Sequence, residues 1–130
     1  MNSKPTVLIA GINGALGSKI APAILDKGAM NVRGLLLDNK PQLDSLKARG
    51  VEFVAGDLFD SASLDNTCKG VEVIVSAVKG SVSKTGLYRE DIVLSGQLNL
   101  LEAAVNNGVK RFIPSDYSVD RFKLDRARQL

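Results

Sequence analysis

Five short apolar runs, each followed by a longer segment of helical patterning, limit what this chain can fold into. They are TVLIA (6–10), NVRGLLL (31–37), VEFVAG (51–56), VEVIVSAV (71–78) and KRFIPS (110–115), all rich in Val, Ile, Leu and Phe. Short, nearly continuous apolar runs bounded by turn residues read as strands buried on both faces. Between them the pattern predicts helices over 14–27, 42–49, 61–69 and 85–107, with Gly28, Gly50, Gly70 and Gly108 at or just past their ends. Glycine is the residue that most often closes a helix. In the last segment Leu87, Leu94, Leu98, Leu101 and Val105 fall on one face, which is expected to lie on the sheet. Such alternation of strand and helix predicts an α/β domain: a parallel sheet covered on both faces and joined by right-handed crossovers. No internal repeat, low-complexity tract or linker divides residues 1–130.

Composition excludes several kinds of function. The 130 residues are 45% hydrophobic and 24% charged, as expected of one soluble core. The formal net charge of +3 is mild, and basic residues cluster only at Lys110-Arg111 and between Arg121 and Arg128, so nucleic-acid binding is not expected. With one cysteine, Cys68, and no histidine, an internal disulfide, a Cys/His zinc site and a Ser-His-Asp triad are excluded within the chain. No metal site is expected, and a reducing cytoplasm fits best. No run approaches the roughly 18 apolar residues of a membrane span, and the N-terminal apolar run is too short for a signal peptide.

The segment GINGALG carries the chemistry. Gly11, Gly14 and Gly17 stand three apart between the first predicted strand and the first predicted helix. A pyrophosphate approaches a backbone only where side chains are absent, and the following helix N-terminus offers free N–H groups and partial positive charge. Gly11 would make the turn, Gly14 would admit the phosphates and Gly17 would let helix and strand pack closely, with Asn13, Ala15 and Leu16 along the same cradle. The alternative is a purely structural glycine turn. A Walker A loop is excluded, because Gly17 is followed by Ser18-Lys19 rather than Lys-Ser/Thr. Asp38 stands where an acid would meet the adenosine ribose, which leans toward NAD over NADP; equally it is a turn residue before Lys40-Pro41. Lys40 or Arg33 could instead meet a 2′-phosphate.

GINGALG, GVEFVAGDLFDSASLDNTCKGVEVIVSAV (50–78) and GQLNLLEAAVNNGVKRFIPSDYSVD (96–120) together resemble the N-terminal part of NmrA-like and isoflavone-reductase-like proteins, atypical members of the short-chain dehydrogenase superfamily. The resemblance covers nearly the whole chain. It implies a Rossmann-like, doubly wound parallel sheet of five strands in the order 3-2-1-4-5, and an NAD or NADP cofactor. Two roles are implied: a reductase of a small organic carbonyl or unsaturated substrate, or a redox-sensing regulator that binds the dinucleotide without turnover. Relatives of the reductase kind carry an arginine for the 2′-phosphate where this chain has Leu37. By the same resemblance Asp57 and Leu58 would contact the adenine, although Asp57 could equally cap the next turn. Ser76, Ala77 and Val78 would line the nicotinamide-side ribose, or simply pack well. Gln97 falls in the Q-x-N segment of the family, yet an exposed polar residue on a helix would look the same.

Ser115 is the candidate catalytic residue. It ends the fifth predicted strand, at the edge where open α/β sheets bind ligands, and a serine there can polarise a substrate carbonyl. With Asp116 it could equally form a turn or a helix cap. The Tyr-x-x-x-Lys pair that would supply a proton is missing: Tyr117 and Arg121 have the spacing, but arginine does not relay protons. Lys123 is the only lysine after Ser115, and nothing marks it as a proton donor. The family's substrate-binding region has no counterpart in these 130 residues, so a truncated chain is expected. In such a chain the fifth strand, RFIP, would be an unpaired edge beside an uncovered apolar face, and self-association or pairing with the missing C-terminal segment is expected.

Overall fold

The computed structural model describes residues 4–36, 44–78, 81–82, 88–89 and 95–115. Strand β1 (Thr6–Ala10) leads through a glycine turn into helix α1 (Gly17–Lys27). Strand β2 (Asn31–Leu36), helix α2 (Asp44–Ala48), strand β3 (Glu52–Ala55), helix α3 (Ser61–Thr67) and strand β4 (Val73–Ser76) follow in alternation. Helix α1 begins at Gly17 rather than Gly14, because Gly14 is engaged in the preceding turn, its N–H donating to the Gly11 carbonyl at 3.0 Å. It ends at Gly28, whose φ of 67° is left-handed.

The chain then departs from the sequence expectation. Instead of a helix from residue 85, Ser81–Val82 (β5) and Tyr88–Arg89 (β6) pair antiparallel in a separate small sheet. Helix α4 runs only from Gln97 to Asn106, followed by strand β7 (Arg111–Ile113). Leu87 and Leu94 lie outside the described residues.

The main sheet is parallel throughout, in the order β3-β2-β1-β4-β7. This is the expected five-strand order, with β7 as the fifth member. Alternation along β1 sends Leu8 and Ala10 to one face and Val7 and Ile9 to the other, as a pleated strand requires. Leu8 and Ala10 join a buried cluster with Leu64 of α3 and Leu100, Ala103 and Ala104 of α4. Val7 and Ile9 pack with Ala21 of α1 and Leu46 of α2. Both faces are therefore covered, which explains the near-continuous hydrophobicity of β1 and β4.

Helix α4 sits on the sheet by a different face from the one its leucine spacing predicts. Leu98 and Val105 are 57% and 71% exposed and Leu101 is exposed as well, whereas Leu100, Ala103 and Ala104 are buried. The helix carries two apolar stripes. The one with two alanines allows the closer backbone approach to the sheet and to α3, and close packing selects it.

Candidate functional site

The sheet reverses its winding between β1 and β4, and the glycine turn lies at that switch. Gly11 has φ 79°, and a Cβ there would sit 2.7 Å from the Ala77 carbonyl oxygen at the end of β4. The two strand ends are joined by the Ala77 N–H donating to the Ala10 carbonyl at 2.8 Å. At Gly14 a Cβ would meet only the Gly11 carbonyl oxygen, at 3.3 Å, so its outer side is open. At Gly17 it would collide with that same oxygen and lie 2.8 Å from both the Gly11 carbonyl carbon and the Ile12 Cα. Helix α1 has no side-chain cap and no acidic residue in its first turn. Its partial positive charge therefore faces the turn with no carboxylate in the helix's own first turn to offset it. Asn13, Ala15 and Leu16 are exposed along this cradle.

One flank is the loop after β3. Leu58 is buried, its side chain packed where a Cβ on Gly96 would come within 3.1 Å. Asp57 is exposed and closes a local turn, its Oδ1 accepting from the Phe59 N–H at 2.8 Å. The cap of α3 is Asp60, which accepts from the N–H groups of Ala62 and Ser63. The Ser63 hydroxyl ties the loop further: it donates toward the Asp57 and Asp60 carbonyls and accepts from the Asp57 N–H. Leu58 is also held by its carbonyl, which accepts from Asn99 Nδ2 at 2.8 Å.

The other flank is formed by the exits of β4 and β7. Ser76 and Val78 turn inward and are buried, so Ala77 is the member of the VSAV segment that meets the glycine turn. The Ser76 hydroxyl is fully buried without a hydrogen-bond partner among the described residues. Ser115 donates its hydroxyl hydrogen to the Val78 carbonyl at 2.6 Å. Its N–H donates to Gln97 Oε1 at 2.6 Å, and Gln97 Nε2 donates back to its carbonyl at 3.4 Å. The serine expected to polarise a substrate thus has its one hydroxyl hydrogen engaged with the backbone.

Gln97 and Asn99 were missed as organising residues by sequence reasoning. Only the Q-x-N spacing signalled them, and it does not tell an exposed polar face from a pair of ties. Asp38 and Lys40 fall outside the described residues, as do Leu37, Asp116, Tyr117, Arg121 and Lys123. Arg33 is excluded as a 2′-phosphate ligand. Its guanidinium pairs with Glu52 and donates to the carbonyls of Thr67 and Lys69, at the C-terminal end of α3 and away from the glycine turn. Cys68 is buried, and burial is the main cause that pushes its thiol above the usual range. Among the described residues no group of three or more His, Cys, Asp or Glu could hold a metal, and no helix is long and apolar enough to cross a membrane.

A parallel sheet of this order, with a glycine turn opening an uncapped helix at its switch point, defines a Rossmann-like fold. The chain belongs to the NmrA-like family, whose sequence profile matches residues 3–127. It is 32% identical over 134 residues to a bifunctional pinoresinol-lariciresinol reductase of Sinopodophyllum hexandrum, covering 98% of this chain and 41% of that protein. It is 33% identical over 128 residues to the phenylcoumaran benzylic ether reductase PT1 of Pinus taeda, covering 92% and 38%. Among solved structures, AtPrR2 with NADP+ and (+)pinoresinol superposes with a TM-score of 0.74 at 31% identity, over 97% of this chain and 41% of that one. An isoflavone reductase superposes with a TM-score of 0.71 at 23% identity, over 98% and 42%, which bears on the fold. The chain therefore spans about 40% of the length of the relatives it matches. The expected lean toward NAD finds no support, since AtPrR2 was solved with NADP+ and Leu37 and Asp38, on which the lean rested, lie outside the described residues.

Proposed function

We propose that this chain is the dinucleotide-binding part of an NADP(H)-dependent reductase whose substrate is a small aromatic molecule of the benzylic ether kind. The observation that carries the reading is the glycine turn at the switch point. Its open face at Gly14 adjoins the uncapped, acid-free N-terminus of α1, an arrangement suited to a pyrophosphate. The benzylic ether class follows the name of the phenylcoumaran benzylic ether reductase of Pinus taeda. When bound, the reduced nicotinamide supplies hydride. This chain's own contribution is to hold the phosphates on backbone N–H groups and to shape the crevice between the loop after β3 and the exits of β4 and β7. Asp57 is proposed at the adenine end.

A second reading is a regulator that binds the dinucleotide without turnover. It is favoured by the Ser115 hydroxyl donating to Val78. Consumption of NADPH in the presence of benzylic ethers and carbonyl compounds separates the two. Self-association and a reducing compartment belong to the same proposal. The first draws on β7 at the sheet edge and on exposed Leu98, Leu101 and Val105, and sedimentation tests it.

The binding test is a titration followed by nicotinamide fluorescence. Wild-type chain is expected to bind NADPH more tightly than NADH. Gly14→Val is expected to lose binding with an unchanged far-UV circular dichroism spectrum. Unimpaired binding in folded Gly14→Val would return the glycines to a purely structural role.

A further inference from the structure

The two carboxamides at the start of α4 reach in different directions. Asn99 Nδ2 holds the Leu58 carbonyl at 2.8 Å, in the loop that follows β3. Gln97 holds the N–H and the carbonyl of Ser115, past the end of β7. Ser115 in turn holds the Val78 carbonyl past the end of β4. Gly96, which precedes both, is buried against Leu58 with so little room that an added Cβ would lie 3.1 and 3.2 Å from that side chain. Loops at a sheet's edge have no strand ladder to fix their separation, so side-chain ties to their backbone must do so. Here both loops are tied to one rigid helical turn.

We infer that Gln97 and Asn99 are positioning residues that set the width of the crevice, one at each end of the bound dinucleotide. The inference rests on the dinucleotide-binding reading above. In a doubly wound sheet the half built on β1, β2 and β3 takes the adenosine side, and the half beyond the switch point takes the other nucleotide. Asn99 therefore governs the adenosine end through Leu58. Gln97 governs the nicotinamide end through Ser115 and Val78. Neither side chain need touch the ligand.

This division predicts a split that general loosening of the fold would not produce. The probes are NADP+ and adenosine 2′,5′-bisphosphate, which carries the adenosine half alone, titrated into the full 130-residue chain by calorimetry. Asn99→Leu is expected to weaken both about fivefold, the equivalent of one hydrogen bond that no longer holds the wall. Gln97→Met is expected to weaken NADP+ about fivefold and to leave the bisphosphate within about twofold of wild type. Gln97→Glu keeps an acceptor for the Ser115 N–H and is expected to recover most of the NADP+ affinity. Gln97→Ala takes the place of Gln97→Met should that variant lose its native circular dichroism. Equal weakening of both probes by both variants, no weakening by either, or failure of Gln97→Glu to improve on Gln97→Met would overturn the inference. Wild-type chain that binds neither probe would overturn the dinucleotide reading itself, and the inference with it.

Discussion

Replacing Gly17 by alanine tests how closely α1 approaches the turn that precedes it. The new Cβ would collide with the Gly11 carbonyl oxygen and stand 2.8 Å from the Gly11 carbonyl carbon and the Ile12 Cα. All three are backbone atoms, so no flexible side chain can yield. Carbon–carbon contact is comfortable from about 3.5 Å, so relieving the two carbon contacts alone lifts the start of α1 by roughly 0.7 Å, and the nearer Gly11 oxygen demands no less. A gap of that size forfeits a quarter to a half of the dispersion well for atoms on either side. The atoms concerned are those of buried Ala21 and half-buried Ile20 and Ile24 against Val7, Ile9 and Ile12. Full burial of one Leu- or Ile-sized side chain is worth about 1.5–3 kcal/mol. Partial loss over several such contacts, less a few tenths gained from alanine's helix propensity, leaves about 2 kcal/mol of destabilisation. For a chain of this length that is a fall in Tm of roughly 8 °C. The control is Gly28→Ala, where φ is 67° and nothing lies within 4 Å of the added Cβ. It bears only left-handed strain, about 1 kcal/mol. Thermal melts of the two variants side by side decide the matter. Gly17→Ala melting at or above Gly28→Ala would refute the packing argument.

Three further outcomes are expected. Ser76→Ala removes a buried hydroxyl that has no partner among the described residues, and should leave Tm unchanged or raise it by a few degrees, since about 1 kcal/mol of unmade hydrogen bonding disappears. Asp60→Ala removes the acceptor for the Ala62 and Ser63 N–H groups at the start of α3, and urea unfolding should show a loss of about 1 kcal/mol. The Cys68 thiol is raised, chiefly by burial, above its ordinary 9.0. Below that value both folded and unfolded thiols are protonated and stability is unaffected. Above it the unfolded thiol loses its proton first, so stability should fall as pH rises past about 9, and Cys68→Ala should flatten that slope in chemical denaturation.

The sequence by itself determined the alternation of elements, because each strand of a doubly covered parallel sheet must be apolar on both faces and each helix must stop where glycine permits. It also made the glycine turn legible: at Gly11 and Gly17 backbone approaches backbone so closely that only the absence of a side chain satisfies the constraint, whereas Gly14 keeps an open outer side. Tertiary structure decided the rest. The leucines of α4 have a helical period, but so do Leu100, Ala103 and Ala104, and only packing against the sheet and α3 chooses between two apolar stripes. Tyr88 and Arg89 join a small antiparallel pair because a partner at Ser81–Val82 is within reach, which no local pattern encodes. Arg33 has the charge a phosphate ligand needs, but the fold commits its guanidinium to carbonyls at the end of α3. Gln97 and Asn99 read as ordinary polar residues on a helix because a carboxamide shows its role only when its partners, 18 and 41 residues away along the chain, have been brought beside it by the fold.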